Sequence, residues 1–176
     1  LASMINGTNT GKLFSQELWN EKVMNATAPE YFLNNFTNQI LNTDSNGTIL
    51  LDEPINSLSL QKVYFIITAA TASASELIIN GMRPYIDVRL VGTKTVGKQV
   101  GSVTLYDSDT YTRNGANLNA NHTYAMQPIV LEIKNANSEN NPDGYIADDY
   151  LLENFGREDG IIDLGVLGSR TEPLLN

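Results

Sequence analysis

Val63-Tyr64-Phe65-Ile66-Ile67-Thr68, then Ala69-Ala70-Thr71-Ala72, then Ser73 to Arg83, then Ile86-Asp87-Val88-Arg89-Leu90-Val91: this stretch decides the fold. The first run is short, apolar and rich in β-branched and aromatic residues, which predicts a buried strand. Residues 73–83 carry apolar side chains at Ala74, Leu77, Ile78 and Met82, a helical spacing with one face toward a core. Pro84 predicts the helix stop, because the residue before a proline disfavours the α region. The second apolar run predicts another strand. Strand, tight turn, helix and strand make a parallel βαβ crossover, so the chain reads as α/β.

The turn into that helix is also where the chemistry lies. Ser73 stands at the helix mouth, where backbone N–H groups are unpaired and the helix dipole favours negative charge. Both features suit a tetrahedral oxyanion, and the N–H of Ala74 is the expected donor. A hydroxyl needs a base to act as a nucleophile, and a neutral lysine amine can be that base. Lys98 follows Gly97 in the loop Gly92-Thr93-Lys94-Thr95-Val96-Gly97-Lys98. A lysine in water titrates near about 10.4, so a base at this position must be desolvated. The expectation is that Lys98 points inward beside Ser73 with no carboxylate next to it; pairing with Asp107 or Asp109 would defeat the role. Blander readings exist. Ser73 suits a helix cap, Lys98 a solvated loop, Ser75 a backbone contact in the first turn, and Glu76 the positive end of the helix dipole.

Thr71-Ala72-Ser73-Ala74-Ser75-Glu76, the glycine-flanked loop to Lys98 and the spacing between them resemble the C-terminal processing, or tail-specific, serine peptidases. The resemblance implies a crotonase-like, Clp-protease-like fold and a Ser/Lys dyad. Ser73 would be the nucleophile and Lys98 the general base. It extends more faintly to residues 58–63, to Gln127-Pro128-Ile129-Val130, and to Leu167-Gly168 and Glu172-Pro173-Leu174-Leu175. It further implies polypeptide substrates, cleavage of protein tails, no cofactor or metal, and a cell-envelope or periplasmic parent.

Two departures stand out. Some members of the family carry a glutamine four residues after the lysine, where this chain has Ser102. On a straight strand the two Cα atoms would lie roughly 13 Å apart; Ser102 would orient Lys98 only with a bend at Gly101. The family's upstream strand, ending in an Asp-Leu-Arg-x-Asn-x-Gly-Gly type motif, has no counterpart, and Leu1 to Gly7 resembles the helix after it. Residues 1–176 are therefore expected to be the C-terminal portion of a catalytic domain, with its first strand and any PDZ-like or cap domain upstream. Loss of one oxyanion donor costs about 10²–10³ in rate, enough for such a piece to fall silent alone even if its parent is an enzyme.

The 176 residues suffice for one domain with a real core. A net charge of −9 argues against nucleic acid or an anionic membrane as a general partner. No apolar run reaches the ~20 residues of a membrane span. The absence of cysteine excludes disulfides and thiol nucleophiles. His122, the single histidine, lies in an Asn-rich stretch without a recognisable partner, which disfavours a Ser-His-Asp triad. Asp107, Asp109, Asp148 and Asp149 lack calcium-loop spacing.

Elsewhere, residues 12–23 suggest a strand. Residues 31–41, with Phe32, Phe36 and Ile40 behind Pro29, suggest a short helix. Asp44-Ser45-Asn46-Gly47 marks a turn, residues 100–106 and 124–134 read as strands, and residues 107–121 and 135–144 as polar loops. A non-catalytic, crotonase-like peptide-binding module is the alternative function. An exposed sheet edge would let such a piece dimerise.

Overall fold

The computed structural model describes residues 1–151. The chain opens with α1 (Ala2–Ile5) and one 3-10 turn, then β1 (Leu13–Trp19) and α2 (Glu21–Ala26). A second 3-10 turn, Pro29–Phe32, leads into β2 (Leu33–Asn35), followed by β3 (Gln39–Thr43) and β4 (Ile49–Pro54). Then come β5 (Lys62–Ile67), α3 (Ala74–Met82) and β6 (Asp87–Gly92). The remaining strands are β7 (Val100–Ser102), β8 (Leu105–Tyr106), β9 (Ala125–Met126), β10 (Ile129–Lys134) and β11 (Asp149–Tyr150).

β5 and β6 are parallel, in register from Lys62↔Asp87 to Ile67↔Gly92, with α3 as the crossover. β11 adds in parallel on the far side of β6. Alternation along β5 turns Val63, Phe65 and Ile67 inward and leaves Tyr64 and Ile66 exposed. Ile67, Leu90 and Tyr145 close on Ile79 of α3 in one core cluster. A second cluster joins Ile5, Phe36, Met82 and Ile86. There Phe36 meets Phe14 and Tyr85 edge to face, each with ring centroids 5.2 Å apart.

The expected βαβ crossover is present, but among the described residues it occurs once. The companion sheet, ordered β2-β1-β10-β7, is wholly antiparallel. The helix expected over residues 31–41 is absent. Pro29 starts only a single 3-10 turn, and the chain then extends into β2 and β3. The run, with Asn34, Asn35 and Asn38 among aromatic and β-branched residues, has weak helix propensity. Its periodic residues part company, with Phe32 and Phe36 buried and Ile40 exposed.

Three strands are also shorter than their sequence runs. The run 12–23 ends as a strand at Trp19, where Asn20 caps α2 by accepting from Val23 N–H at 3.1 Å. The run 100–106 divides into β7 and β8, and 124–134 divides into β9 and β10 around Pro128, which has no N–H for a ladder. The turn at residues 44–47 forms as expected, the Asp44 carboxylate accepting from the N–H groups of Asn46 and Thr48 at 2.8 Å each. The readings at residues 167–175 lie outside the described residues.

Candidate active site

The turn after β5 is built by its own side chains. Thr68 N–H donates to Thr71 Oγ1 at 2.9 Å, and Ala70 N–H donates to Thr68 Oγ1 at 3.2 Å. This brings the chain to Ser73 at φ 56°, ψ −114°. Those angles match the first central residue of a type II′ turn, a position that normally takes glycine. A serine there is strained, and such strain clusters at functional sites. Ser73 is exposed, and its hydroxyl makes no capping hydrogen bond. Ser73 and Glu76 hold the positions of a capping box, but the bond present is the return half, from Ser73 N–H to Glu76 Oε2 at 3.1 Å. The N–H of Ala74, first residue of α3, donates to no acceptor among the described residues.

Glu76 is fully buried, at 0% exposure. Its carboxylate also accepts from Gly97 N–H at 2.6 Å and from Lys98 N–H at 2.8 Å. One buried carboxylate therefore ties the serine turn to the lysine loop through charge-assisted hydrogen bonds. Val96 N–H adds a direct bond to the Thr71 carbonyl at 2.9 Å. Gly97 adopts φ +89°, and a Cβ there would collide with the Pro142 carbonyl and Gly144 N. Only glycine fits both the conformation and the approach.

Ser73 and Lys98 line one cavity of about 140 Å³ with Ala74, Leu77, Gln99, Val100 and Ile133. Their side chains share that space without a hydrogen bond between them. Lys98 makes no ion pair among the described residues. The carboxylates that would have diverted it are engaged elsewhere: Asp107 with Asn119 and His122, Asp109 with Asn117 at 2.7 Å. The inward burial expected of Lys98 is not found: Lys98 is an exposed residue. Ser102 is exposed on β7 opposite Ile129 and does not line the cavity.

Larger cavities, of about 330 and 280 Å³, flank the excursion between β7 and β10, where His122 lies. The sequence offered His122 no partner, but the fold supplies one. Its Nε2 is 3.2 Å from Asp107 Oδ2, and its Nδ1 accepts from Tyr124 N–H at 3.1 Å. With both ring nitrogens engaged, His122 has none left to take a serine proton. Hydrogen bonds from Asn119 first, and then His122, hold the Asp107 carboxyl below its usual range. Among the described residues no three acidic or histidine side chains converge as metal ligands would. Asp148 instead accepts from Leu90 N–H at 2.8 Å.

Sequence reasoning singled out Ser73, Ala74 and Lys98, which meet at one cavity. It missed the depth of Glu76 and the buried amides Asn80, Gln99 and Asn135, at 3%, 3% and 1% exposure. Helical spacing carried one signal for them: Glu76, Asn80 and Ile79 share the buried face of α3, while Leu77 and Ile78 are only half-buried.

No protein-family model matches the chain, and no curated protein matches it. Solved structures do. A crystal structure of a presumed S41 protease from Bacteroides fragilis superposes with a TM-score of 0.67 at 20% identity, covering 99% of this chain and 37% of that one. A photosystem II D1 C-terminal processing protease superposes with a TM-score of 0.50 at 17% identity, covering 99% of this chain and 36% of that one. The chain thus spans little more than a third of the length of these structures. At such identities the likeness establishes the fold, and the resemblance to C-terminal processing peptidases holds at that level.

Proposed function

We propose that residues 1–176 are the C-terminal portion of the catalytic domain of a serine endopeptidase that cuts polypeptide tails through a Ser/Lys dyad. One observation carries this reading. Ser73, strained and uncapped, shares a cavity with Lys98, and a single buried carboxylate binds the backbone of both.

In the reaction, neutral Lys98 takes the Ser73 proton as Oγ attacks a peptide carbonyl. The oxyanion meets the N–H of Ala74 at the head of α3. The C–N bond breaks, the amine leaves with the proton from Lys98, and water releases the acyl group from Ser73. Leu77, Val100 and Ile133 offer the substrate an apolar wall. The exposed amine of Lys98 must be dried by bound substrate or by polypeptide beyond this chain. Ser102 enters only as an orienter brought near by a bend of β7 at Gly101.

The core is crotonase-like in this reading, with its first strand added on β5. That edge has no partner among the described residues, and its outer face leaves Tyr64 and Ile66 exposed. Parallel sheets ordinarily have both faces covered. The same edge would pair two copies of the isolated chain. A cell-envelope location for the parent goes with the same resemblance.

A second reading, a peptide-binding module without catalysis, is favoured by the exposure of Lys98 and its missing bond to Ser73. Casein hydrolysis by the full-length protein separates the two. Activity that drops to background in both Ser73→Ala and Lys98→Ala, with both variants folded, is the expected result. A folded but inactive parent, or activity surviving either substitution, moves the assignment to the binding module.

A further inference from the structure

Gln99 follows Lys98 directly, yet its side chain is buried where that of Lys98 is exposed. Its carboxamide is held from three parts of the chain. Asn80 Nδ2 on α3 donates to Gln99 Oε1 at 2.9 Å; Gln99 Nε2 donates to Tyr145 Oη at 3.0 Å and to the Asn141 carbonyl at 3.5 Å. The Gln99 carbonyl accepts from Ile133 N–H at 3.1 Å and from Asn140 Nδ2 at 3.3 Å. The partners are themselves fixed. Asn135 Nδ2 donates to Asn80 Oδ1 at 3.0 Å, and Tyr145 N–H donates to Thr95 Oγ1 at 2.7 Å. The Arg83 guanidinium lies over the Tyr145 ring, 4.5 Å from its centroid.

A core that needed only filling would take an apolar residue at position 99. A buried polar network, in which the Gln99 carboxamide is bonded through both its oxygen and its nitrogen, instead favours one arrangement of the chain, because alternatives leave those groups unpaired in low dielectric. Gln99 lines the cavity beside Lys98, Val100 and Ser73. The hydrogen bonds that lock its carboxamide therefore fix the backbone from which the Lys98 side chain departs. Glu76 holds the N–H groups of Gly97 and Lys98, at 2.6 and 2.8 Å, which fixes the segment on the near side of the lysine. The Gln99 carboxamide supplies the second fixed point, just beyond the lysine.

We infer that Gln99, gripped by Asn80 and Tyr145, is the positioning residue that aims Lys98 at Ser73. The inference rests on the Ser/Lys reading above. It assigns the orienting task to the residue next to the lysine, acting through the backbone just before β7.

The test uses the full-length protein and its Gln99→Met, Tyr145→Phe and Ser73→Ala variants, with peptide hydrolysis followed across pH and folding checked by thermal melting. Methionine keeps the length of glutamine and removes its hydrogen bonds. The expected result for Gln99→Met is a kcat lower by about 10²-fold, the scale of an ångström-sized misplacement. KM stays within about twofold, and the acidic limb of kcat/KM moves, which a purely structural role would not cause. Tyr145→Phe moves both in the same direction by a smaller factor. A folded Gln99→Met with unaltered kcat and acidic limb overturns the proposal. If Gln99→Met does not fold, a folded Tyr145→Phe with unaltered kcat and limb overturns it. Ser73→Ala separates the two layers. Its silence beside a normal Gln99→Met removes only the positioning role, whereas a Ser73→Ala that retains activity removes the peptidase reading and the positioning role with it.

Discussion

The junction between α3 and the Lys98 loop and the excursion between β7 and β10 are made of similar residues and organised in opposite ways. Both are rich in hydroxyls, amides and carboxylates. In the junction the polar groups point inward: Glu76, Asn80, Gln99 and Asn135 are all buried, and they bond to backbone and to one another across long sequence separations. In the excursion they bond to near neighbours at the surface, as in Asp107 with Asn119 and Asp109 with Asn117. The excursion holds Asp, Ser and the single His, the inventory of a familiar triad, yet His122 is closed in by Asp107 and Tyr124. Residue types therefore do not locate a site. What distinguishes the junction is buried polarity that constrains an exposed serine and lysine.

The sharpest way to break this contrast is to remove the buried carboxylate. Glu76→Gln keeps the size of the side chain but turns an amide toward N–H groups that had a charged acceptor. The expected loss is about 3 kcal/mol of stability, read from the denaturant midpoint, because charge-assisted bonds are lost and buried donors are stranded. A midpoint within error of wild type would mean that the clamp is dispensable.

Gly97→Ala should cost less, about 1–3 kcal/mol, since it combines a left-handed backbone with a collision that the 142–144 loop must yield to. The same urea titration measures it, and an alanine tolerated without loss would show that the two loops are not tightly apposed.

The excursion should be nearly indifferent. His122→Ala is expected to leave the proposed peptidase activity of the full-length protein unchanged and to shift Tm by no more than about 2 °C; a large fall in activity would return the histidine to the chemistry. Its acid response has a definite sign. The folded-state pKa of Asp107 is depressed, so its stabilisation is complete above the unfolded carboxylate pKa and is lost as pH falls through the depressed value. Amide exchange in residues 107–124 should therefore accelerate only below the ordinary carboxylate range. Acceleration already at neutral pH would contradict that origin.

The βαβ crossover was legible because each signal was local and agreed with the next: an apolar strand run, small residues in the turn, a helix stopped by Pro84, and a second strand. Ser73 and Lys98 stood out as candidates for a related reason, since a hydroxyl at a helix mouth and a lysine after a loop glycine each carry their own chemistry. The false helix at residues 31–41 shows the limit of such signals. Phe32 and Phe36 have helical spacing, yet they come from a 3-10 turn and an extended connection, and both reach the core without a helix between them.

By itself, then, the sequence determined the parallel crossover, the chemical candidates and the acidic charge that disfavours polyanion partners. Only the tertiary structure decided that Glu76 is a buried clamp, that Gln99 turns inward beside an exposed Lys98, and that His122 is held by Asp107. The reason is range: helix, strand and turn preferences act over a few residues. Apart from Ser73, the partners of Glu76 and Gln99 lie 19 to 46 residues away along the chain and meet only when the sheets and α3 have packed. Whether a polar side chain is solvated or constrained depends on that meeting.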